Sequence, residues 1–299
     1  MKIVITDSGL GGLSVAAELY ETLKVHKYPG ATELIFVNAL PETGKGYNKM
    51  RNTEQKIRIF NNVLHGIARR FDPDIIAIAC NTLSVIVAQT RYYRGHKQQI
   101  TGIVESGINS FLSGLKPDNA YYVIIFGTET TIEAGVHRKK LIELGIPERN
   151  IITQSCSGLA AAIERDYKGA QTHRLVSEYV ELALIPVESK HTGIYAYLAC
   201  THYGYIIDEF TRLLQQSGFK RYELFNPNHS LVNLVLEKIR SAHAAPLPKA
   251  AQVSIQIYAR CAILPEEIIS ISGLIKNQSH PTAMALQNYQ IEANLFNPD

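Results

Sequence analysis

The sequence lacks long apolar runs and a marked excess of either charge. No apolar stretch approaches the about 20 residues that a membrane-spanning helix needs. The 30 Lys and Arg residues nearly balance the 27 Asp and Glu residues, and the net charge of +3 comes with no basic cluster. We therefore expect no nucleic acid and no membrane as partners. The first residues, 1–7, reach a carboxylate too early for a signal peptide, so we expect a cytoplasmic protein.

Cysteine is scarce, and its spacing provides none of the short pairs that zinc motifs use. The chain has 4 cysteines, and no two of them form a CxxC pair. Cytoplasmic thiols stay reduced, so the question is whether any of these four takes part in chemistry. They are Cys80, Cys156, Cys200 and Cys261.

What the sequence does contain is an alternation of strand and helix patterns. A strand that is apolar throughout, such as 75–79 (IIAIA), is typical of a parallel sheet covered on both faces. Apolar residues at helical spacing lie between the strands, so the predicted fold class is α/β. The predicted helices lie near 12–25, 53–71, 82–93, 105–113, 130–144, 158–165, 172–184, 205–217 and 229–241. The connector is predicted at 242–251, and no element is assigned beyond about residue 265. The predicted strands cover 2–6, 34–37, 75–79, 101–104, 121–126, 151–153, 193–199, 223–225 and 253–258.

A loose internal echo suggests two similar halves. The strand at 75–79 runs into Cys80 and the strand at 193–199 runs into Cys200, and polar residues follow each cysteine. In open α/β sheets the ligand crevice lies outside the carboxyl ends of the strands. Two such crevices facing each other would close around one small molecule.

Cys80 and Cys200 are the leading candidates for chemistry. A lone cysteine after an apolar strand is most often a buried core residue. Here the same arrangement occurs twice, and each thiol is followed by helix-capping residues, whose helix N-terminus stabilises a thiolate or a substrate carboxylate. A nucleophile–base pair with His202, or a metal site, are the alternatives. Cys156 and Cys261 lack the pattern and are interpreted as structural.

The glycine-rich segment 7–13 (DSGLGGL) follows the first strand. It is not a dinucleotide-binding fingerprint, because Ser14 occupies the position of the third glycine. Asp7, at the end of a strand, could orient a thiol, accept a proton or hold a substrate ammonium group.

Together these motifs resemble the aspartate/glutamate racemase superfamily, and most closely the glutamate racemase family. The similar segments occur in the family's order along the chain. They are DSGLGGL at 7–13, ACNT at 79–82, GIVE at 102–105, GTETTI at 127–132, IE at 163–164 and ACTHY at 199–203.

The resemblance implies two pseudo-symmetric, doubly wound (flavodoxin-like) α/β domains with mainly parallel sheets and an active site in the cleft between them. The first domain would comprise 1–97 plus 207–299, and the second 98–206. The implied reaction is racemisation of L-glutamate to D-glutamate, which supplies peptidoglycan synthesis. The partner would be a small-molecule amino-acid substrate, no cofactor or metal would be needed, and the oligomeric state stays open, a homodimer included.

By the same resemblance, one cysteine as thiolate removes the α-proton and the other as thiol protonates the opposite face. Inversion needs a base and an acid on opposite sides of one carbon, and thiols can take either role. The implied catalytic residues are Cys80, Cys200, Asp7, His202 and Glu164. The implied substrate-binding residues are Ser8, Asn81, Thr82, Thr201, Gly46 and Tyr47.

The chain also departs from the family pattern near the substrate. Segment 38–47 lacks the Pro-Tyr-Gly tripeptide and has only a reversed Gly46-Tyr47; Gly204 stands where proline is usual, and Asn226 where aspartate is expected. The alternatives are therefore racemisation of aspartate or another amino acid, a related isomerase or decarboxylase, and a non-catalytic binding protein on the same scaffold.

Overall fold

The computed structural model describes residues 1–25, 31–116, 120–242 and 252–298. All of the predicted strands are present, and a short one is added near the C-terminus. The strands are β1 (Lys2–Asp7), β2 (Ala31–Asn38), β3 (Ile75–Ile78), β4 (Ile100–Gly102), β5 (Tyr121–Gly127), β6 (Ile151–Ser155), β7 (Gly193–Ala199), β8 (Tyr222–Phe225), β9 (Gln252–Ala259) and β10 (Gln290–Ile291).

The helices alternate with these strands, as the apolar periodicity predicts. Short 3-10 helices occupy Tyr47–Lys49, Val87–Gln89, Glu148–Asn150 and Thr201–Ile206. The α-helices are α1 (Leu13–Val25), α2 (Thr53–Phe71), α3 (Asn81–Ser84), α4 (Arg91–Gly95), α5 (Ile103–Gly114), α6 (Glu129–Glu133), α7 (Val136–Glu143), α8 (Leu159–Asp166), α9 (Ala170–Leu184), α10 (Ile207–Gln216), α11 (Asn228–Ala242), α12 (Pro265–Ile275) and α13 (His280–Gln287).

Two predicted helices are interrupted in the structure. The one expected at 82–93 is broken because Thr90 caps a new helix, its hydroxyl accepting a hydrogen bond from the amide of Tyr93. The one expected at 130–144 is broken at Gly135, whose φ of 64° is left-handed. Most of the predicted connector at 242–251 lies outside the described residues.

The strands form two sheets with parallel neighbours throughout. The orders are β10-β9-β2-β1-β3-β4 and β6-β5-β7-β8. The run β2-β1-β3-β4 and the whole second sheet have the same order of crossovers, so the two halves repeat one doubly wound pattern. This confirms the predicted fold class and gives the internal echo its structural basis.

The strand pairing differs from the predicted domain boundaries at both ends. Residues of β4 pair with β3 in the first sheet, although the boundary at residue 98 assigned them to the second domain. Residues of β8 pair with β7 in the second sheet, although the boundary at residue 207 assigned them to the first. We therefore propose that the second domain runs from about residue 103 to about residue 226.

One apolar core covers the first sheet and continues onto one face of the second sheet, and a smaller core covers the other face of the second sheet. The C-terminal residues also bridge the two halves. Tyr197 of β7 packs against Phe111 of α5, with ring centroids 5.4 Å apart. Helix α12 lies against α8, where the hydroxyl of Ser270 donates to the carbonyl of Ile163 at 3.0 Å. Within the described residues, the helices fall short of the length and apolar character that crossing a membrane requires.

Candidate active site

The carboxyl ends of β1, β3 and β7 bring the predicted site residues together. Asp7 ends β1, Cys80 follows β3 and Cys200 follows β7, and all three side chains are buried. Ser8 Oγ lies 3.1 Å from Cys80 Sγ, and the Thr201 hydroxyl donates to Asp7 Oδ2 at 2.9 Å. Ser8 is next to Asp7 and Thr201 is next to Cys200, so a short chain of contacts joins the two thiols across the interface of the two halves.

His202 and Glu164 form a buried ion pair beside Cys200. Glu164 Oε1 lies 2.6 Å from His202 Nε2, and His202 Nδ1 lies 3.6 Å from Cys200 Sγ. Burial alone would lower the pKa of His202, but the charge of Glu164 and the hydrogen bonds of Cys200 and Glu164 raise it well above its usual range. The imidazole is therefore an imidazolium that can donate to the Cys200 sulfur.

Glu164 is the ionised partner of that pair. Burial alone would raise its pKa, but the charge and the hydrogen bond of His202, together with the Leu10 amide, lower it. The Leu10 amide donates to Glu164 Oε1 at 2.6 Å. Glu164 thus ties the loop after β1 to the second half of the molecule and fixes the orientation of His202.

The surroundings of Cys80 favour its thiol form. Burial raises the pKa of the Cys80 thiol, the charge of Asp7 raises it further, and the Ser8 hydrogen bond opposes this. Burial also raises the pKa of Asp7, against the opposing effects of His202 and Thr201. The hydrogen-bonding neighbour of the Cys80 sulfur is Ser8, whereas Asp7 hydrogen-bonds Thr201 and the Gly9 amide.

The glycines of segment 7–13 permit the close approach of the two halves. A Cβ atom at Gly9 would collide with Glu164 Oε1, and one at Gly11 would collide with Thr201 Oγ1 and the ring of His202. At Gly12 it would lie 2.8 Å from Cβ of Ala79. These positions therefore require glycine for space.

Thr82 and Asn81 lie in a buried polar cluster that extends beyond the predicted residues. Thr82 Oγ1 lies 2.9 Å from Thr128 Oγ1, and Asn81 Oδ1 lies 3.1 Å from His137 Nε2. Burial and the nearby Lys140 lower the pKa of His137 to about 4, so the neutral ring donates through Nε2. The Asn81 amide nitrogen is buried and has no partner among the described residues, which leaves it as a donor for a ligand.

Thr128, Thr131 and His137 were not among the predicted site residues. Thr128 and Thr131 hydroxyls lie 3.0 Å apart, and both contact Thr82. The threonines lie in the GTETTI segment, which is one of the segments similar to the family, but the resemblance assigned no role to its residues. Nothing in the spacing of His137 indicates its contact with Asn81, which is 56 residues away.

Gly46 and Tyr47, which are both predicted to bind substrate, differ in their burial. Gly46 precedes the 3-10 helix at Tyr47–Lys49 and is partly exposed. Tyr47 is buried, and its hydroxyl has no partner among the described residues. Burial raises the pKa of Tyr47, and a thiolate at Cys80 would raise it further, so the ring lies within electrostatic reach of Cys80.

The two other family departures lie against each other. A Cβ atom at Gly204 would collide with the side-chain amide of Asn226. The side-chain Oδ1 of Asn226 accepts from the backbone amide of Asn228 at 3.2 Å at the start of α11, and the side-chain Nδ2 of Asn228 donates to the Thr201 carbonyl at 3.2 Å. Asn226 thus supports Thr201 through Asn228.

The chain is similar in sequence to curated glutamate racemases, although no protein-family model matches it. It is 25% identical to the glutamate racemase of Lysinibacillus sphaericus over 218 residues, which is 73% of this chain and 75% of that protein. It is 26% identical to the glutamate racemase of Brucella canis over 216 residues, 71% of each chain.

Solved structures give the same result for the fold. The glutamate racemase of Francisella tularensis in complex with D-glutamate superposes with a TM-score of 0.70 at 17% identity, covering 92% of this chain and 93% of that one. The glutamate racemase of Aquifex pyrophilus gives a TM-score of 0.65 at 21% identity, covering 92% and 95%. The chain therefore has the fold of the glutamate racemases and resembles them in sequence over most of its length, which confirms the resemblance inferred from its motifs.

Proposed function

We propose that this protein is an amino-acid racemase that inverts glutamate with two cysteines and without a cofactor. The observation that carries the proposal is that the two cysteines have different surroundings, one that favours a proton donor and one that favours a proton acceptor. Cys80 is held as a thiol by burial and by the charge of Asp7, while Cys200 lies beside an imidazolium. An acid and a base at the ends of facing sheets are what inversion of one carbon requires.

In the proposed reaction the Cys200 thiolate takes the α-hydrogen as a proton and leaves the electron pair on the α-carbon. The Cys80 thiol then donates its proton to the opposite face, which gives the other enantiomer and a Cys80 thiolate. The reverse reaction exchanges these roles. His202 stabilises the Cys200 thiolate, and Glu164 keeps His202 protonated and oriented.

The remaining polar groups provide the substrate contacts. The Asn81 amide nitrogen, which has no partner among the described residues, is a donor suited to a carboxylate. Ser8 supplies a hydroxyl beside Cys80, Thr82 and Thr201 supply hydroxyls in the two cysteine turns, and the Asp7 carboxylate suits the substrate ammonium group. The proposed product, D-glutamate, would supply peptidoglycan synthesis.

The test measures the conversion of L-glutamate to D-glutamate, with chiral chromatography to quantify the two enantiomers. The wild type should convert it, and Cys80→Ser and Cys200→Ser should each lose at least about 10²-fold in rate, the contribution expected of a positioned acid or base. Cys261→Ser is the matched control, because Cys261 Sγ contacts the Leu40 carbonyl rather than a residue of the two cysteine turns.

The alternatives give different results in the same experiment. Conversion of aspartate but not glutamate would change the substrate and keep the mechanism. Binding of glutamate without any loss of enantiomeric purity would support the non-catalytic binding protein and overturn the proposal.

A further inference from the structure

Lys56 is a buried cation on the apolar face of the amphipathic helix α2. It occupies the buried stripe of α2 with Ile59 and Phe60, and only 6% of its surface is exposed. Its Nζ donates to Thr130 Oγ1 at 2.6 Å. Among the described residues no carboxylate forms an ion pair with it, and a buried ammonium without an anion is energetically costly.

The lysine lies next to the polar cluster of the active site. Thr130, its partner, precedes Thr131, whose hydroxyl contacts Thr82 in the turn that carries Cys80. The Thr130 amide also donates to Asn48 Oδ1 at 3.4 Å. The ammonium is therefore one residue away from the threonines that contact the Cys80 turn.

Tyr47 provides a second unpartnered group on the same segment. Its hydroxyl is buried and free among the described residues, and a thiolate formed at Cys80 would raise its pKa. Residues 47–56 thus place a buried hydroxyl and a buried ammonium next to α6 and the turn that carries Cys80. A donor and a cation together are complementary to a carboxylate.

We propose that Lys56 determines the substrate class by binding the distal carboxylate of a dicarboxylic amino acid, with Tyr47 donating a hydrogen bond to the same substrate. This inference rests on the proposed racemase function and deepens it. The anion that Lys56 lacks is then supplied by the substrate, so neutral amino acids leave the ammonium unpaired and are selected against.

The test compares a dicarboxylic ligand with its neutral amide in matched variants. Lys56→Met removes the charge and keeps the length, and Lys56→Arg keeps the charge. Arg58→Met removes the same charge from an exposed position on the same helix. Dissociation constants are measured by calorimetry with racemic glutamate and racemic glutamine, so that turnover does not change the mixture.

Lys56→Met should weaken glutamate binding about tenfold or more, while glutamine binding changes less than threefold. Arg58→Met should change neither constant, and Lys56→Arg should retain part of the preference. Thermal unfolding of Lys56→Met should be unchanged or at a higher temperature, because replacing a buried charge with an apolar side chain of similar volume is usually tolerated.

Three results would overturn the inference: equal weakening of both ligands in Lys56→Met, unchanged glutamate binding in that variant, or no binding of glutamate or aspartate to the wild type. Racemase activity is measured separately. Loss of glutamate preference in Lys56→Met with a wild type that binds but does not racemise would overturn the proposed function and keep the inference.

Discussion

Glu164 Oε1 lies 2.6 Å from both His202 Nε2 and the amide nitrogen of Leu10. One carboxylate oxygen therefore fixes the imidazolium next to Cys200 and also holds the loop that follows β1. Orientation of a catalytic group and closure of the two halves are thereby coupled through a single side chain.

Glu164→Gln should lower the pKa of His202, because the amide cannot supply the negative charge that raises it. Activity that needs the imidazolium should then be lost at a lower pH than in the wild type, so the alkaline limb of the profile should move to lower pH. The measurement is the pH profile of kcat/KM. Glu209→Gln is the control, since Glu209 pairs with His173 and Arg212 at the surface; an unshifted alkaline limb in Glu164→Gln would contradict this role.

The same ion pair gives a stability prediction with a defined sign. The raised pKa of His202 stabilises the fold fully below its ordinary value of 6.5, and the lowered pKa of Glu164 does so fully above its ordinary value of 4.5. The melting temperature of wild type should therefore exceed that of Glu164→Gln most between these two pH values. A difference that grows steadily toward high pH would be inconsistent with the pair.

Gly11→Ala should disrupt the active site without preventing folding. The added methyl group would meet Thr201 and His202, and a displacement of about 1 Å at a reacting group can cost about 10²-fold in rate. Gly273→Ala is the matched control: Gly273 lies exposed in α12, where an added Cβ would have no atom of the described part of the chain within 4 Å. The substitution should stabilise the protein by about 0.5–1 kcal/mol. Full activity in Gly11→Ala would show that the close approach is unnecessary.

Glu267, on α12, should destabilise the protein at high pH. Burial, and then the charge of Glu164, raise its pKa to about 7. A carboxyl whose pKa is raised on folding costs stability as the pH rises from 4.5 to 7. Glu267→Gln should therefore melt at the same temperature as wild type at pH 4 and at a higher temperature at pH 8, whereas Glu266→Gln, an exposed neighbour, should show no such gain.

The strands were predictable because their apolar runs are continuous, as at Ile75–Ile78. The domain boundaries were harder to predict from the sequence, because β4 has only 3 residues and runs directly into α5. Helix α12 was missed although Pro265 at its first position and Glu267 in its first turn are start signals.

The site was predictable only in part. The two cysteine turns repeat one local pattern, so they could be found from spacing. Glu164 and His202 are 38 residues apart and their contact depends on the tertiary fold, so Glu164 could be identified only through the family resemblance. Lys56 could have been noticed, since it lies three and four residues before Ile59 and Phe60 on the buried stripe. Lysines in helices are usually solvated, and for that reason Lys56 was not predicted to be buried.

The most direct test of two cysteines acting on opposite faces is the isotope content of the first product. L-glutamate is incubated in D₂O, and at low conversion the recovered substrate and the D-glutamate are separated and analysed for α-deuterium by mass spectrometry. Because the thiol that donates is not the one that abstracts, the product should carry solvent deuterium while most of the recovered substrate still carries protium. D-Glutamate that retains the original α-proton would show that one group both removes and returns it, and would contradict the mechanism.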